Sequence, residues 1–173
     1  MNGYNLGPAY IVPIAEPHME KTRSWANDSH LKSLMMRNSY VSEEDQKNWL
    51  ENIRSDATRV VFAVHSSADN THVGNTGFYE ISLEHRRANF WILIGDGNGR
   101  GKGIGAYVLG EMLSYGFRQL QLNRVQLLVR HDNTAALNLY KKYLFKEEGV
   151  LKQYYIINDA PVDAIMMAIL KEG

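Results

Sequence analysis

The 173-residue chain is 45% hydrophobic and 22% charged, the balance of an ordinary folded domain, which excludes disordered and fibrous classes. Its 19 Lys and Arg are matched by 19 Asp and Glu, so no broad positive field exists to attract nucleic acid or an anionic membrane. The lack of cysteine excludes disulfides, Cys-type zinc sites and thiol nucleophiles, and fits a reducing, cytoplasmic setting.

In chain order, residues 10–14 form a short apolar stretch closed by Glu16-Pro17, where proline suits a first helical turn. No apolar run approaches a membrane span, and residues 1–13 carry no charged-then-apolar leader pattern. A helix is expected to continue through Trp25. Ser42-Glu43-Glu44-Asp45 has capping-box spacing and opens a second helix with Gln46, Trp49, Leu50 and Ile53 on one face. Residues 59–65, 73–83 and 88–94 read as three strands of an antiparallel meander. Residues 103–120 read as a helix with Val108, Leu109, Met112 and Leu113 on its stripe. Residues 124–130 read as a strand, and 133–144 as a helix with Ala136, Leu139, Tyr140, Tyr143 and Leu144 inward. Asn158-Asp159-Ala160-Pro161 predicts a turn between strands at 150–157 and 162–170. With neither repeat nor linker, residues 1–173 read as a single domain, a mixed sheet covered by helices.

Gly95, Gly97, Gly99, Gly101, Gly103 and Gly105 alternate between a strand and a helix. Glycine lets backbone N–H groups approach a ligand, and a helix start adds unpaired N–H groups and a positive dipole end, a combination suited to phosphate. A P-loop fails, because Asp96 stands at its first glycine and Gly103 at its Ser/Thr. A dinucleotide fingerprint fits Gly101-x-Gly103-x-x-Ala106 only by force, since a meander precedes it.

Arg100-Gly101-Lys102-Gly103-Ile104-Gly105 matches the Arg/Gln-x-x-Gly-x-Gly/Ala loop of acyl-CoA binders. Asn133 through Lys142 matches Asn-x-x-Ala-x-x-x-Tyr-x-Lys. Together these resemble the GNAT superfamily of N-acetyltransferases, in the branch with ribosomal-protein, polyamine and amino-sugar acetyltransferases. The resemblance implies an α/β (α+β) fold, a mixed, mostly antiparallel sheet flanked by helices with a splayed central strand pair holding acetyl-CoA. It implies backbone contacts from Leu93 and Ile94 to the pantetheine, an oxyanion-stabilising N–H near Ile92, and a diphosphate cradle of Arg100, Gly101, Lys102, Gly103, Ile104, Gly105 and Ala106.

By the same resemblance Tyr140 is the general acid that protonates the leaving thiolate, although its face, shared with Ala136 and Leu139, suits plain core equally. Asn133 is a cofactor contact, a helix N-cap, or both. Lys142 would reach a CoA phosphate. Asn89 stands where polyamine enzymes often carry a carboxylate and cannot accept a proton. Glu80 is therefore the candidate base, through water, against the alternative of a solvated strand residue. Trp25, Asn27 and Tyr40 join Glu80 and Asn89 as candidate acceptor contacts. The six histidines show no metal-ligand spacing.

The expected activity is direct transfer of acetyl from acetyl-CoA to a primary amine in a ternary complex. The acceptor would be a small-molecule amine (an amino-sugar nucleotide or a polyamine) or a protein N-terminus. The alternative is a non-catalytic acyl-CoA-binding module. A homodimer through an exposed strand edge follows by analogy only.

Overall fold

The computed structural model describes residues 7–172. The first six residues of the N-terminal stretch read as leaderless lie outside them, as does Gly173. Seven strands form one sheet in the order β1-β2-β3-β4-β5-β7-β6. They are β1 Ala9–Pro13, β2 Val60–Ser66, β3 His72–Ser82, β4 Arg87–Ile94, β5 Arg124–Arg130, β6 Lys146–Ile157 and β7 Ala160–Leu170. The helices are α1 Met19–Asn27, α2 Ser29–Leu34, α3 Glu43–Ser55, α4 Ile104–Ser114 and α5 Thr134–Lys142.

Local chemistry explains most boundaries. Ser42 accepts from Asp45 N, and the Asp45 carboxylate accepts from Ser42 N, closing the capping box of α3. Asn133 Oδ1 accepts from Ala136 N at 3.2 Å and starts α5. Asn158 and Asp159 both take positive φ, 51° and 61°, as a two-residue turn between right-twisted strands requires. The α2 helix was not anticipated, although Asp28 caps it by accepting from Leu31 N at 2.8 Å. The helix read over 103–120 ends as α at Ser114 and finishes in a π turn, Tyr115–Gln119.

The sheet separates two apolar layers. On one face Phe78, Phe90, Val125 and Leu127 meet Val108, Leu109 and Met112 of α4 and Leu137 and Tyr140 of α5. Each such buried side chain stabilises the fold by about 1.5–3 kcal/mol. On the other face Ile14, Leu50 and Val61 pack with Trp49, Ile53 and Trp91, seating α3. Leu144 departs from the sequence reading. It is 66% exposed with φ 67°, the left-handed turn that ends α5 and that glycine would adopt without strain. Leu137 takes the inward place instead.

Among the described residues β4 and β5 are the one parallel pair, and their register runs only through Arg87↔Arg124, Ala88↔Val125 and Asn89↔Gln126. Beyond Asn89 they diverge, although β4 stays paired to β3 as far as Ile94. The expected splayed central pair is present.

Candidate active site

The wedge between β4 and β5 is a cavity of about 500 Å³. Phe90, Ile92, Leu93 and Ile94 line one side, Leu128 and Val129 another, and Asn133, Ala136 and Tyr140 close it from α5. Backbone direction along β4 is set by two contacts. Thr76 Oγ1 donates to Trp91 O at 2.9 Å, so Trp91 faces β3; Arg100 Nε donates to Ile94 O at 3.2 Å, so Ile94 faces away from it. Because direction alternates residue by residue, Ile92 turns its N–H and C=O into the wedge and Leu93 turns its own toward β3. Leu93 therefore offers the wedge a side chain and not the backbone group expected of it. Part of Ile94 O is already occupied by Arg100.

At the open end of the wedge the chain makes a 3-10 turn, Gly97–Gly99, and enters α4. Gly101 and Gly103 take φ of 72° and 74°, and a Cβ built on either meets nothing within 4 Å. Gly103 N-caps α4 without a side-chain hydrogen bond. Among the described side chains none accepts from the first-turn N–H groups of Ile104, Gly105 and Ala106, which lie beside the exposed Lys102 and Arg100. Unpaired donors, dipole and open space together fit a diphosphate. The second guanidinium contact, Arg100 to Gly95 O at 3.2 Å, pins this loop to β4. Gly105 is ordinary by comparison, since its φ is not positive.

Tyr140 is 7% exposed, with its ring against Phe90 and Phe145. Among the described residues its hydroxyl makes no hydrogen bond, and burial pushes its ionisation far above the usual phenol range. It therefore remains protonated beside the wedge at any physiological pH. Lys142, by contrast, lines a separate groove with Gly110, Phe117 and Tyr143, away from the wedge.

Asn89 is 6% exposed at the last position of β4 that pairs with β5. Its Nδ2 donates to Glu80 Oε2 at 2.6 Å, and its Oδ1 accepts from Gln126 Nε2 at 2.9 Å. Glu80 sits in an irregularity of the β3–β4 ladder with φ 50° and is exposed. Glu80 does not line the wedge; its neighbour Tyr79 does.

A second cavity, about 370 Å³, opens on the α1–α3 side and shares Leu31, Met35, Trp91 and Leu93 with the wedge. Trp25 and Tyr40 line it as expected, with Trp49. Asn27 does not. Its amide donates to Val41 O and accepts from Val41 N, at 2.9 and 2.8 Å, tying α1 to the strap before α3. Sequence reading missed Lys32, Arg37, Thr22 and Asn75 in this lining. Among the described residues no group of three or more His, Asp or Glu is placed to hold a metal.

Comparison with known proteins agrees with this geometry. The acetyltransferase (GNAT) domain family matches residues 10–146. A spermidine N(1)-acetyltransferase of Vibrio cholerae serotype O1 is 31% identical over 146 residues, 84% of this chain and 83% of that protein. An uncharacterized N-acetyltransferase, YoaA of Bacillus subtilis (strain 168), is 36% identical over 99 residues, 57% of this chain. The chain spans 55% of the length of YoaA and of the similar protein p20 of Bacillus licheniformis. The crystal structure of a spermidine N-acetyltransferase from Vibrio cholerae, in complex with CoA and spermine, superposes with a TM-score of 0.90 at 25% identity, covering 95% of this chain and 96% of that one. With the strand splay, the glycine cradle and a family match over most of its length, the chain belongs to the GNAT acetyltransferase family.

Proposed function

We propose that this protein is an acetyl-CoA-dependent N-acetyltransferase that acetylates a primary amine by direct attack in a ternary complex. The observation that carries the reading is the divergence of β4 and β5 after Asn89, with the uncapped start of α4 at its mouth. The apolar lining of the wedge supports a pantetheine arm there, and the open glycine cradle at its mouth supports a diphosphate. The CoA complex of the similar Vibrio cholerae enzyme supports the same use.

In this reading the Ile92 N–H takes up the negative charge that develops on the thioester oxygen as the amine nitrogen attacks its carbon. Glu80, through water, accepts the proton the amine gives up. As the C–S bond breaks, Tyr140 gives its hydroxyl proton to the departing sulfur. A phenol is a weaker acid than a thiol of pKa ~8.5, so this transfer runs uphill, more so with burial, and it is drawn forward by C–S cleavage and by return of a proton from solvent to the phenolate. Proton exchange with solvent then resets both groups.

Association through the exposed edge of β6, along which Val150, Tyr154 and Ile156 lie open, supports a homodimer. One Vibrio cholerae neighbour is described as dodecameric. The cysteine-free composition supports a cytoplasmic location, and no helix among the described residues is long and apolar enough to cross a membrane.

The test is thiol release from acetyl-CoA with a panel of primary amines, alongside calorimetry with CoA. Amine-dependent release supports an enzyme. Tight CoA binding with no release across the panel would instead identify a non-catalytic acyl-CoA module.

A further inference from the structure

The acceptor-side cavity carries a charge pattern that the transfer chemistry leaves unused. Its walls are aromatic, from Trp25, Trp49 and Trp91, and its charged lining is Lys32, Arg37 and Asp45. Cations near this region are paired: Arg23 with Glu43 at 3.0 Å, Arg59 with Asp56 at 2.7 Å, and Arg130 with Asp132 at 2.7 Å. Lys32 and Arg37 are not. Among the described residues neither side chain has a hydrogen bond or an ion pair. Asp45 cannot neutralise both, and its Oδ2 is already committed to Ser42 N at 3.0 Å and Ser42 Oγ at 2.7 Å.

The backbone brings the two cations together. α2 ends at Leu34, and Met36 takes the left-handed conformation at φ 55°. Arg37 N donates to Lys32 O at 2.9 Å and Met36 N to Ser33 O at 3.0 Å. This is the Schellman closure, in which the two residues joined by the outer bond commonly make an apolar contact. Here both are cations. Lys32 is half-buried and Arg37 exposed in the lining of the same aromatic cavity, which leaves it one positive charge beyond what Asp45 balances, a field that favours an anionic group of a ligand.

We propose that the acceptor is a primary amine whose far end carries a carboxylate or phosphate oxyanion, held by Lys32 and Arg37, with a flat or apolar body against the tryptophans. The inference rests on the transferase reading above and names the substrate class of the same site. The amine end reaches the wedge past Leu31, Met35, Trp91 and Leu93, which border both cavities. A polyamine, cationic along its length, meets two uncompensated positive charges there, so this chain differs in acceptor from relatives named for spermidine.

Matched amines test this by thiol release: 4-(aminomethyl)benzoate against its neutral carboxamide, and tyramine phosphate against tyramine, with spermidine alongside. The expected result is kcat/KM at least about tenfold higher for the anionic member of one or both pairs, as for charge-assisted contacts at a half-open site. The pair with the larger ratio separates carboxylate from phosphate. In the Lys32→Gln, Arg37→Gln double variant that ratio falls toward one. Equal rates within each pair, spermidine as the preferred amine, or a ratio that survives in the double variant would overturn the proposal. Should no amine release thiol, the transferase reading fails separately. Calorimetric titration of the same pairs into the CoA-loaded protein then decides the inference, since equal affinity within each pair sinks it.

Discussion

Asn89 and Glu80 are joined by a 2.6 Å hydrogen bond in which the amide donates to the carboxylate. It is the last link of a relay across the sheet. Arg124 Nε donates to Gln126 Oε1 at 2.7 Å, and Gln126 Nε2 donates to Asn89 Oδ1 at 2.9 Å. Arg124 is itself held by Glu148 at 2.9 Å. Each donor points toward Glu80 and polarises the next. The asparagine that cannot take a proton thus orients the carboxylate that can.

Replacing Glu80 with Gln is therefore expected to lower kcat by roughly 10²-fold or more, the usual worth of a general base. Asn89→Asp replaces the amide donor with a second carboxylate, so the hydrogen bond that orients Glu80 is lost and kcat should fall as well. Steady-state rates at pH 7 check both, and wild-type turnover in both variants removes Glu80 from the mechanism.

Tyr140→Phe deletes a hydroxyl that has no protein hydrogen bond to lose, so melting temperature should barely change. The loss should fall on turnover, about 10²–10⁴-fold in kcat, with acetyl-CoA affinity retained. Because burial raises this ionisation, no alkaline limb from Tyr140 is expected below pH 10. A wild-type rate in the variant returns Tyr140 to the role of core residue.

The glycines of the loop should not respond alike. Gly103→Ala forces a Cβ into a left-handed conformation at about 1–2 kcal/mol and places it where the diphosphate would lie. CoA affinity should drop at least tenfold by calorimetry, as about 1.4 kcal/mol implies. At Gly105 an added Cβ makes only 3.9 Å contacts with Ile94 and Leu139. Gly105→Ala should keep CoA binding and stabilise α4 by about 0.5–1 kcal/mol.

His72 is buried between His18, His65 and Trp25, with ring centroids 4.9, 5.5 and 4.8 Å away. Burial, then the neighbouring imidazoles, push its pKa down to about 4, against the opposing Asn75 hydrogen bond. His18 is lowered as well, by burial and by His65. An unfolded histidine titrates near 6.5. The stability contributed by neutral His72 is thus whole above pH 6.5 and is lost as pH falls toward 4, on the order of 2 kcal/mol. Urea midpoints at pH 7 and 4.5 should show that loss, and His72→Gln should flatten it.

Leu144 pairs a left-handed backbone with a solvent-exposed apolar side chain. Leu144→Gly removes both penalties, and the chain should gain about 1 kcal/mol, read as a higher melting temperature with unchanged CoA affinity.

The amino-acid sequence alone determined the features that depend on residues a few positions apart. The Ser42 and Asn133 caps, the Asn158-Asp159 turn, the strand and helix order and the glycine cradle all express local backbone preferences. Tertiary structure decided where side chains and carbonyls point. β4 pairs with β5, from 37 residues away, only as far as Asn89, and then follows β3 alone. That event opens the wedge, faces Ile92 into it and turns Leu93 to β3. Packing seated Tyr140 at the wedge, carried Lys142 to another face, and made Asn27 a tie to Val41 instead of an acceptor contact. Nothing in the sequence marked Lys32 and Arg37, which the closure of α2 carries into the lining of one cavity. Charge becomes recognition only through separation and burial, and those are properties of the folded chain.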